Sequence, residues 1–211
     1  MRTDGTINPQ AYTKVQYTQF KQSKILIFFR ELFIYLVIPF IYPLTLLSKM
    51  SDYFFRTTSE ALSLIPFLFG VIIREAYYRT VLKSCGHNLV VSLGTVFHYQ
   101  DISVGENVLI GIHSTVHHCD IGNDVLIGDG CRLLSGSRQH DFNRVDIPIA
   151  MQNGLMKKIR IGNDVWIGSN SVVMEDIEDG CIIGSGSVVN KRMGRYSIVA
   201  GNPARVLRKR M

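Results

Sequence analysis

Two spacings of apolar residues divide this chain. Between residues 25 and 81 they come in runs: Ile25–Phe29, the uncharged stretch Leu32–Leu47 after the pair Arg30-Glu31, and Leu62–Ile73, which contains Pro66 and Gly70. From Val104 onward they stand singly, each followed by glycine and, four positions on, by a small or β-branched residue. The motif reads Val104-Gly-Glu-Asn-Val, Ile110-Gly-Ile-His-Ser, Ile121-Gly-Asn-Asp-Val and Ile127-Gly-Asp-Gly-Cys. It resumes as Ile161-Gly-Asn-Asp-Val, Ile167-Gly-Ser-Asn-Ser and Ile183-Gly-Ser-Gly-Ser. A fixed short period marks a solenoid. Alternate side chains of a short strand face inward, so the aliphatic residue and the small one both point into a narrow prism. Gly, Asn and Asp supply the turn conformations at the corners.

The pattern predicts a mainly β prism over residues 85–190, an apolar helical region over 1–84 and a basic C-terminal segment over 191–211. Residues 89–102 carry the repeat only loosely, as a terminal coil should. Two steps are irregular, Val116 to Ile121 and Val173 to Ile183, and between Leu133 and Ile159 the repeat stops. This loop, 134–159, contains His140, and a long loop inside a regular solenoid is usually functional.

A bilayer span needs about 20 predominantly apolar residues. The first long run is slightly short and broken by Pro39 and Pro43, and the second is clearly short. Both are flanked by basic and aromatic residues (Arg30, Lys49, Tyr53, Arg56, Arg74, Tyr77, Tyr78, Arg79). That suits helices lying in or dipping into a membrane interface; the alternative is a pair of soluble helices capping the solenoid. Residues 1–24 are polar and lack the n-region of a signal peptide.

The length of 211 residues and 46% hydrophobic content fit one domain with a smaller appendage. The four cysteines are scattered, three of them inside the repeat, where a thiol serves as a small hydrophobe under reducing conditions. The net charge of +6 is concentrated at the end: Lys191, Arg192, Arg195, Arg205, Arg208, Lys209 and Arg210 follow one another with no acid between. Such a tail asks for an anionic partner. Without a helix-turn-helix, zinc-finger or RNP-like signal, a phosphate-bearing small molecule fits better than nucleic acid.

The hexapeptides, together with Asn163-Asp164-Val165-Trp166-Ile167-Gly168 and the ending Ala200-Gly201-Asn202-Pro203-Ala204-Arg205-Val206, make residues 86–208 resemble the left-handed β-helix acyltransferases. Within them the chain looks most like the sugar O-acetyltransferases, typified by galactoside and maltose acetyltransferases, and the xenobiotic acetyltransferases. The resemblance implies a left-handed parallel β-helix, acetyl-CoA as co-substrate without a metal, and a homotrimer with active sites between neighbouring prisms. It makes His140 the general base, since a neutral imidazole near pH 7 accepts the proton of an attacking hydroxyl. Coenzyme A would meet Trp166, Ser169, Ser185, Asn190, Lys191, Arg205 and Arg208. Members often carry Ala where Ser185 stands and Thr where Asn190 stands.

On the acceptor side the match departs from the family. An Asn helps to bind the sugar in the galactoside enzymes; the comparable stretch here offers His113, His117 and His118, and Asp141 follows the loop histidine. The apolar N-terminal region points to a glycan, lipid-linked or part of a polysaccharide or lipopolysaccharide, met at the cytoplasmic face of the cytoplasmic membrane. The stretch Val116-His117-His118-Cys119-Asp120-Ile121-Gly122 also resembles the γ-class carbonic anhydrases, which hold zinc through three histidines. Ile112 stands where one ligand belongs, His113 is displaced by one, His98 is a loose candidate for the remaining ligand, and only His117 falls in register. A trimeric scaffold without activity is the third alternative. A zinc assay and a thioester-cleavage assay separate the three.

Overall fold

The computed structural model describes residues 24–210; the polar segment that lacks a signal-peptide n-region lies outside them. Short parallel strands stack into three faces of a prism. Face I holds β1 (Ser84–Cys85), β4 (Ser103–Val104), β7 (Cys119–Ile121) and β10 (Ile159–Ile161), continued by single bridges at Ile177 and Met193. Face II holds β2 (Leu89–Val91), β5 (Val108–Ile110), β8 (Leu126–Ile127), β11 (Trp166–Ile167), β13 (Ile182–Ile183) and β15 (Ser197–Ala200). Face III holds β3 (Val96–Phe97), β6 (Thr115–Val116), β9 (Arg132–Leu133), β12 (Val172–Val173) and β14 (Val188–Val189). A last strand, β16 (Arg205–Lys209), turns back antiparallel on β15. The prism thus runs past residue 190, because Met193-Gly194 repeats the motif with Met in the aliphatic place.

The spacing of the inward residues differs from edge to edge. Steps from face I to II and from II to III are six residues in every coil, as in Ile121, Ile127 and Leu133. From III to I the step is seven from Phe97 to Val104, five from Val116 to Ile121, twenty-eight from Leu133 to Ile161, and four from Val173 to Ile177 and from Val189 to Met193. Ile177 fills the rung that the long step from Val173 to Ile183 concealed.

The two constant edges are set by residues in the left-handed region. At edge I–II stand Asn107, Asp124 and Asp164 with φ of 57°, 57° and 52°, and at edge II–III stand Gly130 and Asn170. Polar side chains then clip coil to coil: Asn123 Oδ1 accepts from the Glu106 amide at 2.8 Å, and Asn163 Oδ1 from the Asn123 amide at 2.8 Å. Edge III–I has no repeated turn residue of this kind, so its length is free to vary.

Three helices close the first coil: α1 (Lys24–Met50), α2 (Asp52–Ser63) and α3 (Phe67–Val81). Helix α2 packs on β3 and α3 on β2, while α1 lies along both helices. The Phe97 amide donates to Ser59 Oγ at 3.0 Å, and buried Arg74 donates to the carbonyls of Val91, Leu62 and Ile65 at 2.8, 3.0 and 2.8 Å. Helix α1 continues through Pro39 and Pro43, which the sequence offered as breaks. A helix-interior proline costs about 3 kcal/mol, and α1 meets that cost with side chains seated on two helices along its length.

Candidate active site

Edge III–I gathers the chemistry. The inserted loop leaves after β9, and its base is closed by the Lys157 amide donating to the Ser135 carbonyl at 2.9 Å. Its two limbs pair, Asp141 N to Asn153 O and Leu155 N to Arg138 O, both at 2.7 Å. Gly154 is wedged against the opposite limb: a Cβ there would fall 1.9 Å from the Gln139 carbonyl oxygen. A 3-10 turn at Ile149–Met151 and the Gln152 amide, which donates to the Arg144 carbonyl at 2.7 Å, fold the tip on itself. Lys157 pairs with Glu175, and Lys158 with Asp120 at 2.9 Å, pinning the returning limb to the prism. His140 and Asp141 therefore stand exposed on a braced loop.

Four half-buried rings line the same edge one and two coils earlier. His98 stacks on His117 with centroids 4.0 Å apart, and Tyr99 on His118 at 3.7 Å. The Tyr99 hydroxyl points at Met156 Sδ of the loop, 3.6 Å away. Burial, then the neighbouring His117, pushes His98 down to about 4; burial, then Arg56, lowers His117. Both imidazoles are neutral at pH 7 and offer one donor and one acceptor each. Among the described residues no side-chain hydrogen bond occupies His98, His117 or His118.

A second group lies across face III. Trp166 points outward from β11, 51% exposed, in a column with Leu109, Leu126, Ile182 and Ile198. Ser169 and Ser185 sit at edge II–III, where the Ser169 hydroxyl is already engaged by the Asp129 amide at 3.2 Å. The Ser169 hydroxyl accepts that bond with one lone pair and keeps its own O–H as a donor. Arg205 and Arg208 are exposed on β16, and Asn190 and Lys191 are exposed back at edge III–I. Among the described residues Lys191, Arg205 and Arg208 have no acidic partner. Arg192, Arg195 and Arg210 are paired with Glu178, Asp179 and Asp164, so acids of earlier coils neutralise part of a tail that looks acid-free in sequence.

The histidines expected together are not all together. His113 occupies the corner of edge II–III at φ 54°, its ring beneath Gly94 and its carbonyl accepting from Arg132 at 2.6 Å. Face III parts it from His117 and His140, and it serves the turn. A zinc triad from His113 and His117 does not converge; among the described residues no group of three or more His, Cys, Asp and Glu is placed to hold a metal. The sequence offered His98 only as a loose zinc-ligand candidate; its place beside Tyr99 was legible in the match of His98-Tyr99 after Phe97 with His117-His118 after Val116.

A family profile described as bacterial transferase hexapeptide (six repeats) matches residues 158–191. The chain is 32% identical over 145 residues to the galactoside O-acetyltransferase of Escherichia coli K12, covering 64% of this chain and 68% of that one. It is also 32% identical over 118 residues, 54% of its length, to an acetyltransferase of Mycobacterium tuberculosis, of which it spans 39%. Galactoside acetyltransferase in complex with coenzyme A shares the fold, with a TM-score of 0.61 and 27% identity over 73% of this chain and 80% of the other. The chain belongs to the hexapeptide-repeat acetyltransferase family, the group its repeats, Trp motif and ending resemble.

Proposed function

We propose that the protein is an acetyl-CoA-dependent O-acetyltransferase, working as a homotrimer, that acetylates a sugar hydroxyl of a cell-surface polysaccharide, lipopolysaccharide or related glycan at the cytoplasmic face of the cytoplasmic membrane. The observation that carries this reading is the braced His140 loop, the one long insertion among the described coils, standing at the edge that also presents the His98, Tyr99, His117 and His118 rings. Family membership supports the co-substrate, and so do three cations without acidic partners among the described residues, since Lys191, Arg205 and Arg208 are charge-assisted donors for phosphate.

Acetyl-CoA supplies an acetyl thioester. His140 accepts the proton of the sugar hydroxyl as its oxygen forms the new C–O bond; the C–S bond breaks, and the same imidazole returns the proton to the thiolate. No enzyme nucleophile is needed. The Cys119, Cys131 and Cys181 thiols are buried, and burial raises the pKa of each, which keeps them protonated and inert. Neutral His98 and His117 suit the acceptor, because hydroxyls both give and take hydrogen bonds. The two groups of residues flank face III, and the apolar column around Trp166 supports a second copy docking there to complete the site.

His140→Ala is expected to lower kcat about 10²- to 10⁴-fold, the usual worth of a general base, while calorimetry shows unchanged coenzyme A affinity. Near-wild-type turnover in that variant would sink the assignment.

A further inference from the structure

We propose that α1 lies in the plane of one lipid leaflet, with its outer face and the α2–α3 turn dipping into the acyl region, and does not cross the bilayer. This deepens the membrane part of the function above and rests on it only for the acceptor. By length and composition α1 passes for a span: Ile27–Met50 has a mean hydropathy of 1.8 and is 22% buried. Its attachments argue otherwise. The inner stripe of Ile34, Ile41, Thr45 and Ser48 is buried. Ser48 Oγ accepts from the Tyr77 hydroxyl at 2.7 Å, and the Thr45 and Thr80 hydroxyls meet at 3.1 Å. At the other end Arg30 pairs with Glu75 and donates to Asn88 Oδ1 at 2.7 Å, while Glu31 accepts twice from Arg79, at 2.7 and 2.8 Å.

Helices α2 and α3, against which α1 lies, carry Asp52, Arg56, Glu60, Arg74, Glu75 and Arg79. Crossing would drag these six charges into hydrocarbon or strip α1 of its polar partners, and both are costly. The outer face has no such obstacle. Phe28, Phe29, Leu32, Leu36, Phe40, Leu47 and Met50 are exposed, and no charged residue occurs between Glu31 and Lys49. Phe33 meets Phe69 edge-on at 6.0 Å, so the patch continues onto exposed Leu64, Phe67 and Leu68. A protein partner's surface is only a little over half apolar and brings hydrogen bonds; this face gives it almost nothing polar to bond. Tyrosines at 35, 42 and 53 and a Lys49 without an acidic partner among the described residues suit the headgroup level of an anionic leaflet.

The test uses the full chain and vesicles of phosphatidylglycerol and phosphatidylethanolamine. Wild type is expected to float with them, and Leu36→Glu/Phe40→Glu to lose at least tenfold in binding while keeping its coenzyme A affinity. Environment-sensitive labels on Phe28→Cys, Leu36→Cys and Leu47→Cys are expected to show one shallow depth by brominated-lipid quenching. A central label deeper than both ends means that α1 crosses and overturns the proposal. Absence of flotation, or loss by the double variant of self-association rather than of vesicle binding, overturns it in favour of a soluble cap or a second copy. Acetyl transfer to p-nitrophenyl glycosides, measured without vesicles, reports the catalytic reading separately.

Discussion

Glu75 is fully buried between two guanidiniums, Arg79 at 2.7 Å and Arg30, and also accepts from the Leu89 amide at 3.2 Å. Burial pushes its carboxyl up while Arg30 and Arg79 pull it down. Glu75→Ala is expected to cost about 3–5 kcal/mol in urea unfolding, because it strands buried charge and unties α1 from the first coil. The exposed pair Arg56–Glu60 is a control, and Glu60→Ala is expected to cost less than about 0.5 kcal/mol. His98 makes stability depend on pH. Its folded pKa, about 4, lies below the ordinary 6.5, so the unfolded chain binds the extra proton in that window. Stability is therefore present above about 6.5 and lost as pH falls toward 4. Melting temperatures between pH 7 and 4 should fall, and His98→Gln should flatten the slope.

At the scale of elements the loop at edge III–I is the part most sensitive to a small change. Gly154 faces the Gln139 carbonyl so closely that a methyl group must part the two limbs, and His140 is the next residue along. Gly154→Ala is expected to lower kcat about tenfold or more, as misplacement of a catalytic group does. The prism's melting transition should be unchanged, since the loop hangs outside the stacked coils. A variant with full kcat would show that the limbs need not touch.

For the whole molecule, the candidate residues divide between edge III–I and the far side of face III. If one copy's His140 works with another copy's Trp166 and Arg205, two inactive variants should rescue each other. His140→Ala mixed with Arg205→Ala/Arg208→Ala, unfolded and refolded together, is expected to regain activity that neither has alone. Sites confined to one protomer would show no recovery.

The period of six, the corner residues and the position of the long loop are local, and each follows from the backbone conformations that Gly, Asn and Asp allow. They sufficed for the prism and for the place where its long loop leaves it. The sequence missed Ile177, which no glycine follows, and Met193, where methionine takes the aliphatic place before Gly194, and so it ended the prism too early. It grouped His113 with His117 because both fall in the stretch comparable to the family's sugar-binding one, yet His113 occupies a corner and face III separates the two side chains. Folding decided which cations of the tail keep their charge free, since Asp164, Glu178 and Asp179 reach them from earlier coils. It also tied an apolar helix long enough to span to α3, through Arg30 and Glu31 on charged partners and Ser48 on the Tyr77 hydroxyl. A pattern along the chain fixes what each segment prefers, whereas contacts across the coils depend on the varying steps at edge III–I, which no local preference sets.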